Sequence, residues 1–171
     1  TVIVDEKEII SLGGIIGGLN SSVSKDTKNV LLEAAYFEPI SIASTGRKLK
    51  INSDARYRFE RGVDPSFTIP GNKMAAKMIL DICGGSVSKP IIAGSDPNPN
   101  KEVFFNPEKV NDLIGIKINL EDQKSILKSL GFIVDDNNEK IIVKVPSWRP
   151  DVHGEADLVE EIARVSSLAN L

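Results

Sequence analysis

The sequence is poor in residues that many catalytic and extracellular proteins depend on. It has one cysteine, Cys83, and one histidine, His153, among 171 residues. A single thiol excludes an internal disulfide and is typical of proteins kept in a reducing compartment, so we expect a cytoplasmic chain. Since only one histidine is available to activate it, a catalytic thiol is disfavoured, and Cys83 in the apolar run MILDICGG is predicted to be buried.

Long hydrophobic runs and excess positive charge are also absent. No apolar run reaches the roughly 20 residues that a membrane-spanning helix needs, and no secretory signal is visible, so no membrane partner is expected. The 21 Lys and Arg residues stand against 24 Asp and Glu, which gives a net charge of −3. Any contact with RNA must therefore be local or must depend on a partner chain.

The composition, with 41% hydrophobic and 26% charged residues, is typical of a globular chain of one or two domains. Residues 1–88 are predicted to form a first unit and residues 101–171 a second unit. Residues 89–100, punctuated by Pro and Gly, are predicted to be the linker between them. Because the chain starts with Thr1 and then alternates like a strand, we expect a piece cut from a longer protein.

The first unit begins with two predicted strands around a charged turn, in TVIVDEKEIISLGG. The sequence then predicts a buried strand for NVLLEAAYF, a helical turn for PISIASTGRKLKI and a charged loop for SDARYRFERGVDP. Met74, Met78 and Ile82 recur at helical spacing, and the predicted helix ends at Gly84 and Gly85.

The second unit is predicted to contain three helices and a β-ribbon. The first helix starts at Pro107, the amphipathic second helix ends at Gly131, and the third spans about residues 155–165. Between the last two, IVDDNNEKIIVKVP predicts a hairpin that turns at residues 136–138. This content indicates a small α+β module of winged-helix type.

Four carboxylates, here called the acidic cluster, lie close together near the C-terminal end: Asp151, Asp157, Glu160 and Glu161. The last three share one face of a helix, and Asp151 precedes it, so the four could converge on a hard cation such as Mg²⁺. Alternatively, acidic residues at a helix start complement the helix dipole, and Arg164 neutralises part of the cluster as an ion pair. Spacing alone leaves both interpretations open.

Solvent exposure is predicted for one of two other residues near the acidic cluster and burial for the other. Trp148 is predicted to be a core anchor between the hairpin and the last helix. RNA stacking is the alternative for this ring, and it requires an exposed side chain. His153 is predicted to be a solvated loop residue without a catalytic role.

Glu33 is the one charged residue in the apolar run NVLLEAAYF. Burying a carboxylate is costly unless it is paired, so Glu33 either pairs with an arginine of RYRFERG or reads a hydroxyl or amine of a ligand. Nearby, the glycines of LGGIIGGLNSS follow neither the P-loop nor the dinucleotide-binding spacing. They indicate a tight turn or a backbone that faces a ligand. The alternating charges of SDARYRFERGVDP predict a salt-bridge lattice.

These motifs together resemble one family. LGGIIGG, NVLLEAAYFEPISI, SDARYRFERGVDP and ICGG, followed by FFNPEKVNDLIG, ILKSLGF, VPSWRPD and DLVEEIARV, resemble the beta subunit of bacterial-type phenylalanine–tRNA ligase, in the same order along nearly the whole chain. The resemblance implies an α+β fold in which residues 1–88 form the C-terminal part of a mixed α/β tRNA-editing domain. It also implies a winged-helix-like domain over residues 101–171.

The resemblance assigns an editing pocket to the first unit. In the family, the parent enzyme attaches phenylalanine to tRNA(Phe) with ATP bound on the alpha subunit, and the editing domain hydrolyses tyrosyl-tRNA(Phe). By residue-by-residue match, Glu33 reads the tyrosine hydroxyl, Gly17 offers close backbone, and Ser53 and Ala55 line the pocket. Family members commonly carry Thr where this chain has Ser53. The family site also uses a histidine from an earlier part of the domain.

The resemblance also assigns a metal and partners to the second unit. Asp151, Asp157, Glu160 and Glu161 match the family's Mg²⁺ ligands, at a site shared with the alpha subunit of an alpha2-beta2 heterotetramer that binds tRNA(Phe). After EEIAR the family continues with a Tyr-Gly-Tyr-like segment, whereas this chain reads VSSLANL. A winged-helix module that binds nucleic acid or protein without catalysis is the alternative function. In either case we expect the isolated chain neither to charge tRNA nor to consume ATP.

Overall fold

The computed structural model describes residues 1–95, 97, 100–136 and 140–166. The chain divides into two compact units, Thr1–Pro97 and Asn98–Leu171, and this division falls inside the segment predicted to be a linker. Each unit combines helices with one small three-stranded antiparallel sheet, so the predicted mixed α+β class is confirmed. No helix in the described part of the chain is long and apolar enough to cross a membrane.

The sheet of the first unit has the order β1-β2-β3, with β1 at Val2–Val4, β2 at Ile9–Leu12 and β3 at Ile16–Gly17. The turn between β1 and β2 is closed by the Asp5 carboxylate, which accepts the N–H groups of Lys7 and Glu8 at 2.7 and 2.8 Å. The two predicted strands and their charged turn are therefore confirmed. The two-residue strand β3 was not predicted, because it lies within the glycine-rich segment.

The helices of the first unit are α1 at Pro39–Leu49, α2 at Asp54–Phe59 and α3 at Thr68–Cys83, with a 3₁₀ turn at Pro65–Phe67 before α3. The predicted helical turn is thus a full helix, α1, and the predicted charged loop contains α2. In both segments a side-chain cap that the prediction did not take into account starts the helix. The Glu38 carboxylate caps α1, and the Ser53 hydroxyl caps α2.

Two burial predictions in the first unit are wrong. The run NVLLEAAYF forms no strand, and Leu31 in it is 85% exposed, because no strand in the described residues pairs with it. Cys83 is exposed rather than buried. Helix α3 forms as predicted and ends at Gly84, yet it buries none of its residues. Met74 and Met78 are therefore 58% and 61% exposed.

The second unit contains β4 at Lys101–Phe105, α4 at Glu108–Ile114, α5 at Leu120–Ser129, β5 at Ile133–Asp135, β6 at Ile141–Val145 and α6 at Glu155–Ser166. Its sheet has the order β4-β6-β5, so β6 pairs with a strand on each side. The predicted helices and hairpin strands are confirmed. Residues 137–138 of the predicted turn, and residues 167–171 of the segment that departs from the family, lie outside the described residues.

The hydrophobic core of the second unit is built from alternate residues of its strands and from one face of its helices. Its buried members are Val103, Phe105, Val110, Leu127, Phe132, Val143, Val145, Val152, Leu158, Val159 and Ile162. Trp148 does not belong to it and is 57% exposed, so the prediction of a core anchor is wrong. Phe105 and Phe132 provide the aromatic packing of this core, and the Trp148 ring instead covers Gly131, where an added Cβ would lie 2.8 Å from it.

Candidate functional site

A pocket of about 260 Å³ in the first unit, here called the Glu33 pocket, brings together three of the four residues assigned to an editing site. Gly17, Glu33 and Ala55 line it, although they come from β3, an extended segment and α2. Ser53 lines a neighbouring depression instead. The other lining residues are Ser11, Leu12, Gly14, Ile15, Ile16, Ala34, Ala35, Phe37 and Phe59.

The glycines of the β2–β3 segment have two different reasons for lacking a side chain. Gly14 adopts a φ of +69°, and a Cβ added there would lie 2.8 Å from the ring of Phe37. An added Cβ at Gly13 would lie 2.6 Å from the same ring, so these two glycines make room for an aromatic wall. Gly17, which is exposed and lines the pocket, has no atom within 4 Å of an added Cβ, so nothing packs against it there. The predicted tight turn occurs at Gly14, and the backbone that faces a ligand stays a prediction.

The Glu33 carboxylate forms no hydrogen bond or ion pair with the residues that the structure describes. Two of the three candidate arginines are engaged elsewhere, since Arg56 and Arg61 both bind Glu60, at 2.9 and 3.2 Å. The third, Arg58, is exposed and forms no ion pair with Glu33. Partial burial raises the pKa of the Glu33 carboxyl above its ordinary value of 4.5. Glu33 is nonetheless exposed at the mouth of the pocket, and such an unpaired acceptor, desolvated only in part, can bind a hydrogen-bond donor of a ligand.

Ser53 does not line the Glu33 pocket but contacts a residue that does. Its hydroxyl donates to the carbonyl of Ile15, which lines the pocket, and accepts the N–H of Arg56 at 3.0 Å. Ser53 therefore ties the start of α2, and Ala55 with it, to the β2–β3 segment. Because both contacts of the hydroxyl are internal, the geometry gives Ser53 a positioning role in the wall of the Glu33 pocket.

The walls of the Glu33 pocket are apolar and partly aromatic. The rings of Phe37 and Phe59 meet edge to face, with centroids 5.2 Å apart, and both line the pocket. No histidine, cysteine or lysine is among the described lining residues. This arrangement can hold a small aromatic group and accept one hydrogen bond from it, but it supplies no second group for acid–base chemistry.

In the second unit, arginines form ion pairs with two of the four carboxylates of the acidic cluster. Arg149 donates through Nε and through an Nη to both carboxylate oxygens of Asp151, the shortest distance being 2.6 Å. The same Nη reaches Glu161 at 3.0 Å, and Arg164 binds the other oxygen of Glu161. Hydrogen bonds from Arg149 lower the pKa of Asp151 and of Glu161, and Arg164 lowers the pKa of Glu161 further. The predicted ion pair of Arg164 with the cluster is confirmed.

The remaining two members of the acidic cluster have different surroundings. Asp157 accepts the backbone N–H groups of His153 and Gly154 at 2.7 and 2.9 Å, which lowers its pKa. It therefore closes the first turn of α6. Glu160 is exposed, as is His153 in the preceding loop.

The donor chemistry of the cluster suits Mg²⁺, but its arrangement does not fit the ion. Within the described residues, no group of three or more His, Cys, Asp or Glu side chains is placed to hold a metal. Carboxylate oxygens are the ligands that Mg²⁺ prefers, and here three of the four carboxylates already accept internal N–H groups. The magnesium prediction remains a prediction.

Sequence reasoning missed Arg149 as the central residue of this region. Its position in WRPD, two residues before Asp151, was a usable signal, because an arginine flanking several carboxylates is their nearest partner. It also missed the aromatic wall of the Glu33 pocket. Nothing local in the sequence places Phe37 beside Gly13 and Gly14, which lie more than 20 residues earlier in the chain.

Comparison with known proteins agrees with this two-unit architecture. Residues 1–84 match the family model of the B3/4 domain, and residues 103–167 match that of the tRNA synthetase B5 domain. The chain is 51% identical to the phenylalanine–tRNA ligase beta subunit of Cereibacter sphaeroides over 170 residues, which are 99% of this chain and 21% of that protein. It is 46% identical to the same subunit of Paramagnetospirillum magneticum over 171 residues, all of this chain and 21% of the relative.

The fold and the matched domains first define a class: a B3/4 domain followed by a tRNA synthetase B5 domain. A third relative, from Ruegeria pomeroyi, is 49% identical over 170 residues, again 99% of this chain and 21% of the relative. The chain belongs to the family of phenylalanine–tRNA ligase beta subunits. It spans about a fifth of the length of these relatives.

Proposed function

We propose that this chain is the part of a phenylalanine–tRNA ligase beta subunit that recognises tyrosine during hydrolytic editing of tyrosyl-tRNA(Phe). The parent enzyme uses ATP, bound on an alpha subunit, to attach phenylalanine to tRNA(Phe). The names of the relatives support the ligase and the pairing with an alpha subunit. The observation that carries the editing role is the unpaired carboxylate of Glu33 in an apolar, aromatic-walled pocket.

The reason for a second site is chemical. Tyrosine differs from phenylalanine by one hydroxyl, and a hydrophobic synthetic site rejects an added hydroxyl poorly. A site built to bind that hydroxyl discriminates much better, because phenylalanine leaves its acceptor desolvated and unpaired, at a cost of about 1–3 kcal/mol. Glu33 is the acceptor in this proposal, and the open backbone at Gly17 lets the ligand approach.

The chain's share of the reaction is recognition. The described lining of the Glu33 pocket holds no group besides Glu33 that could move a proton near neutral pH. In this proposal the chain binds and orients the tyrosyl group, and the groups that break the ester bond come from other parts of the enzyme. The net charge of −3 agrees with tRNA binding that relies on other parts of the enzyme.

Any Mg²⁺ ion bound by this chain would be held by the carboxylates of the acidic cluster. Asp151, Asp157, Glu160 and Glu161 have the oxygen donors that Mg²⁺ prefers. When bound, such an ion would neutralise the carboxylates at the boundary with an alpha subunit. The contacts of Arg149 with Asp151 and Glu161 would have to be broken first.

The editing proposal is tested in the parent-length beta subunit assembled with its alpha subunit. Glu33→Gln and Glu33→Ala are expected to slow hydrolysis of tyrosyl-tRNA(Phe) by about tenfold or more, because the hydroxyl loses its charged acceptor. Charging of tRNA(Phe) with phenylalanine should stay within about twofold, since that chemistry does not use this pocket. Both rates are measured with radiolabelled amino acids.

Glu6→Ala is the matched control, because Glu6 carries the same charge on the same unit and is exposed away from the lining residues. It should leave both activities unchanged. Equal loss of editing and charging in the Glu33 variants would overturn the editing role and indicate a role in folding.

A second candidate function, a binding module without catalysis, is favoured by one observation. Trp148 is 57% exposed and so meets the condition for stacking on a base. The Glu33 experiment separates the two candidates, because a module that only binds tRNA through the second unit predicts no selective loss of editing.

A further inference from the structure

Arg149 lies between two carboxylates of the acidic cluster, Asp151 and Glu161. Its guanidinium holds Asp151 through two nitrogens and reaches Glu161, so it links the loop before α6 to the helix itself. The side chain of Arg149 is only 21% exposed, and that of Glu161 is 9% exposed. The guanidinium carbon also lies 5.8 Å from the centre of the Phe132 ring, at the edge of the core. Arg149 is therefore packed at the edge of the core, with both of its carboxylate partners in contact.

The contacts leave few carboxylate oxygens free for another cation. Both oxygens of Asp151 accept Arg149, and the two oxygens of Glu161 accept Arg149 and Arg164. One oxygen of Asp157 accepts two backbone N–H groups. A planar guanidinium matches a carboxylate with two parallel hydrogen bonds, and breaking such a pair leaves a partly buried charge uncompensated.

We propose that Arg149 is the internal cation of the acidic cluster, and that a divalent ion binds there only if the guanidinium is displaced. The chain folds around the pairs of Arg149 without needing a metal. The same residue sets how strongly Mg²⁺ binds, since the guanidinium and the ion compete for the oxygens of Asp151 and Glu161. This inference concerns the second unit and stands independently of the editing role.

The test is a magnesium titration of the whole 171-residue chain by calorimetry, with MgCl₂ compared against NaCl of equal ionic strength. Wild-type chain is expected to show no saturable binding in the millimolar range. Arg149→Met keeps the length and apolar stem of the side chain but removes the charge. It should bind Mg²⁺ about tenfold or more tightly than wild type, a change of the size produced by altering groups that contact metal ligands.

Arg58→Met is the matched control, because Arg58 is an exposed arginine in the first unit with no ion pair among the described residues. It should titrate like wild type. The backbone amide NMR signals of His153 and Gly154, which donate to Asp157, give a second readout. They should shift with Mg²⁺ only in Arg149→Met.

Arg149→Lys keeps the test decisive if Arg149→Met fails to fold. A lysine retains the charge but cannot bridge Asp151 and Glu161 with a rigid fork, so the variant should fold and bind Mg²⁺ more tightly than wild type. Wild-type chain that binds Mg²⁺ as tightly as the Arg149 variants would overturn the proposal. A folded Arg149→Met chain that gains no affinity would overturn it equally.

Discussion

At the scale of single residues, the wall of the Glu33 pocket depends on one arginine and one glycine. Arg56 donates to the carbonyl of Ile51 at 2.7 Å and to the side chain of Asn52 at 3.0 Å, so it fixes the connection between α1 and α2. Its stem crosses Gly46 of α1, where an added Cβ would lie 2.3 Å from Cδ of Arg56. This packing therefore requires a glycine at position 46. The contact of Arg56 with Gly46 also helps to fix where α2 and its capping residue Ser53 lie relative to α1.

Gly46→Ala is expected to destabilise the first unit by about 1–3 kcal/mol, the usual cost of forcing extra volume into a packed contact. A loss of stability would be informative, because by helix propensity alone the change from glycine to alanine should stabilise a helix by about 1 kcal/mol. Chemical denaturation followed by circular dichroism measures the change. Ser44→Ala, an equally small substitution on the exposed side of α1, should be neutral or slightly stabilising.

The contact with Arg56 can be isolated by a double-mutant cycle. If the crossing is the cause, Gly46→Ala should cost clearly less in an Arg56→Ala background than in wild type. An unchanged cost would contradict this explanation and place the strain elsewhere in α1.

At the scale of secondary-structure elements, the start of α6 decides the geometry of the acidic cluster. Gly154 precedes the helix, and Asp157, its third residue, reaches back to the N–H groups of His153 and Gly154. This is one half of a capping box, which satisfies donors that a helix start leaves free. The Lys101 ammonium adds to it by donating to the carbonyls of Pro150 and Val152 at 3.1 and 3.3 Å, so β4 holds the incoming loop.

Asp157→Ala is expected to lower the free energy of unfolding by about 1 kcal/mol, the usual effect of losing a helix cap. Denaturant unfolding without added metal measures it, so that the cap is tested apart from any ion. Glu160→Ala removes an exposed carboxylate from the same helix and should change stability by less than about 0.5 kcal/mol. Equal effects of the two substitutions would contradict the capping role.

The cap also predicts a pH dependence. Hydrogen bonds from backbone N–H groups lower the pKa of Asp157 below its ordinary value of 3.8, so its ionised form stabilises the folded state. That contribution is complete above the unfolded pKa and is lost as the pH falls through the folded one. The stability difference between wild type and Asp157→Asn should therefore shrink as the pH drops below about 4. A difference that stays constant down to about pH 2 would contradict this assignment.

At the scale of the whole molecule, the two units differ in how much apolar surface they bury. Among the described residues of the first unit, only Ile15 and Ile42 are buried hydrophobic residues, whereas the second unit has a contiguous buried cluster from all its helices and two of its strands. Helix α3 buries none of its residues, and five of its large apolar side chains are exposed: Ile69, Met74, Met78, Ile79 and Ile82. Since burial of apolar surface is the main favourable term in folding, the second unit holds most of the stability.

We therefore expect the chain to unfold in two steps, with the second unit as the more stable step. A chain of residues 98–171 alone should keep a cooperative thermal transition in scanning calorimetry. A chain of residues 1–97 should unfold at lower temperature and bind a hydrophobic dye. A higher transition temperature for residues 1–97 would contradict this assignment of stability.

The local pattern of the sequence determined most helices and strands of this protein. The helical spacing before Gly84, the amphipathic helix ended by Gly131 and the β5–β6 hairpin strands were predicted correctly, because their signals lie within a few neighbouring residues. The family resemblance selected Gly17, Glu33 and Ala55, which the fold then places around one pocket.

Only the tertiary structure decided which of these residues are covered and which are paired. Trp148 and Cys83 looked like core residues in sequence but are exposed, because burial depends on what other segments pack against a residue. The acidic cluster looked like a metal site, yet its charges meet Arg149 and the backbone N–H groups at the start of α6. Spacing brings carboxylates near each other, but the competing cation or donor is supplied by the three-dimensional arrangement of the chain.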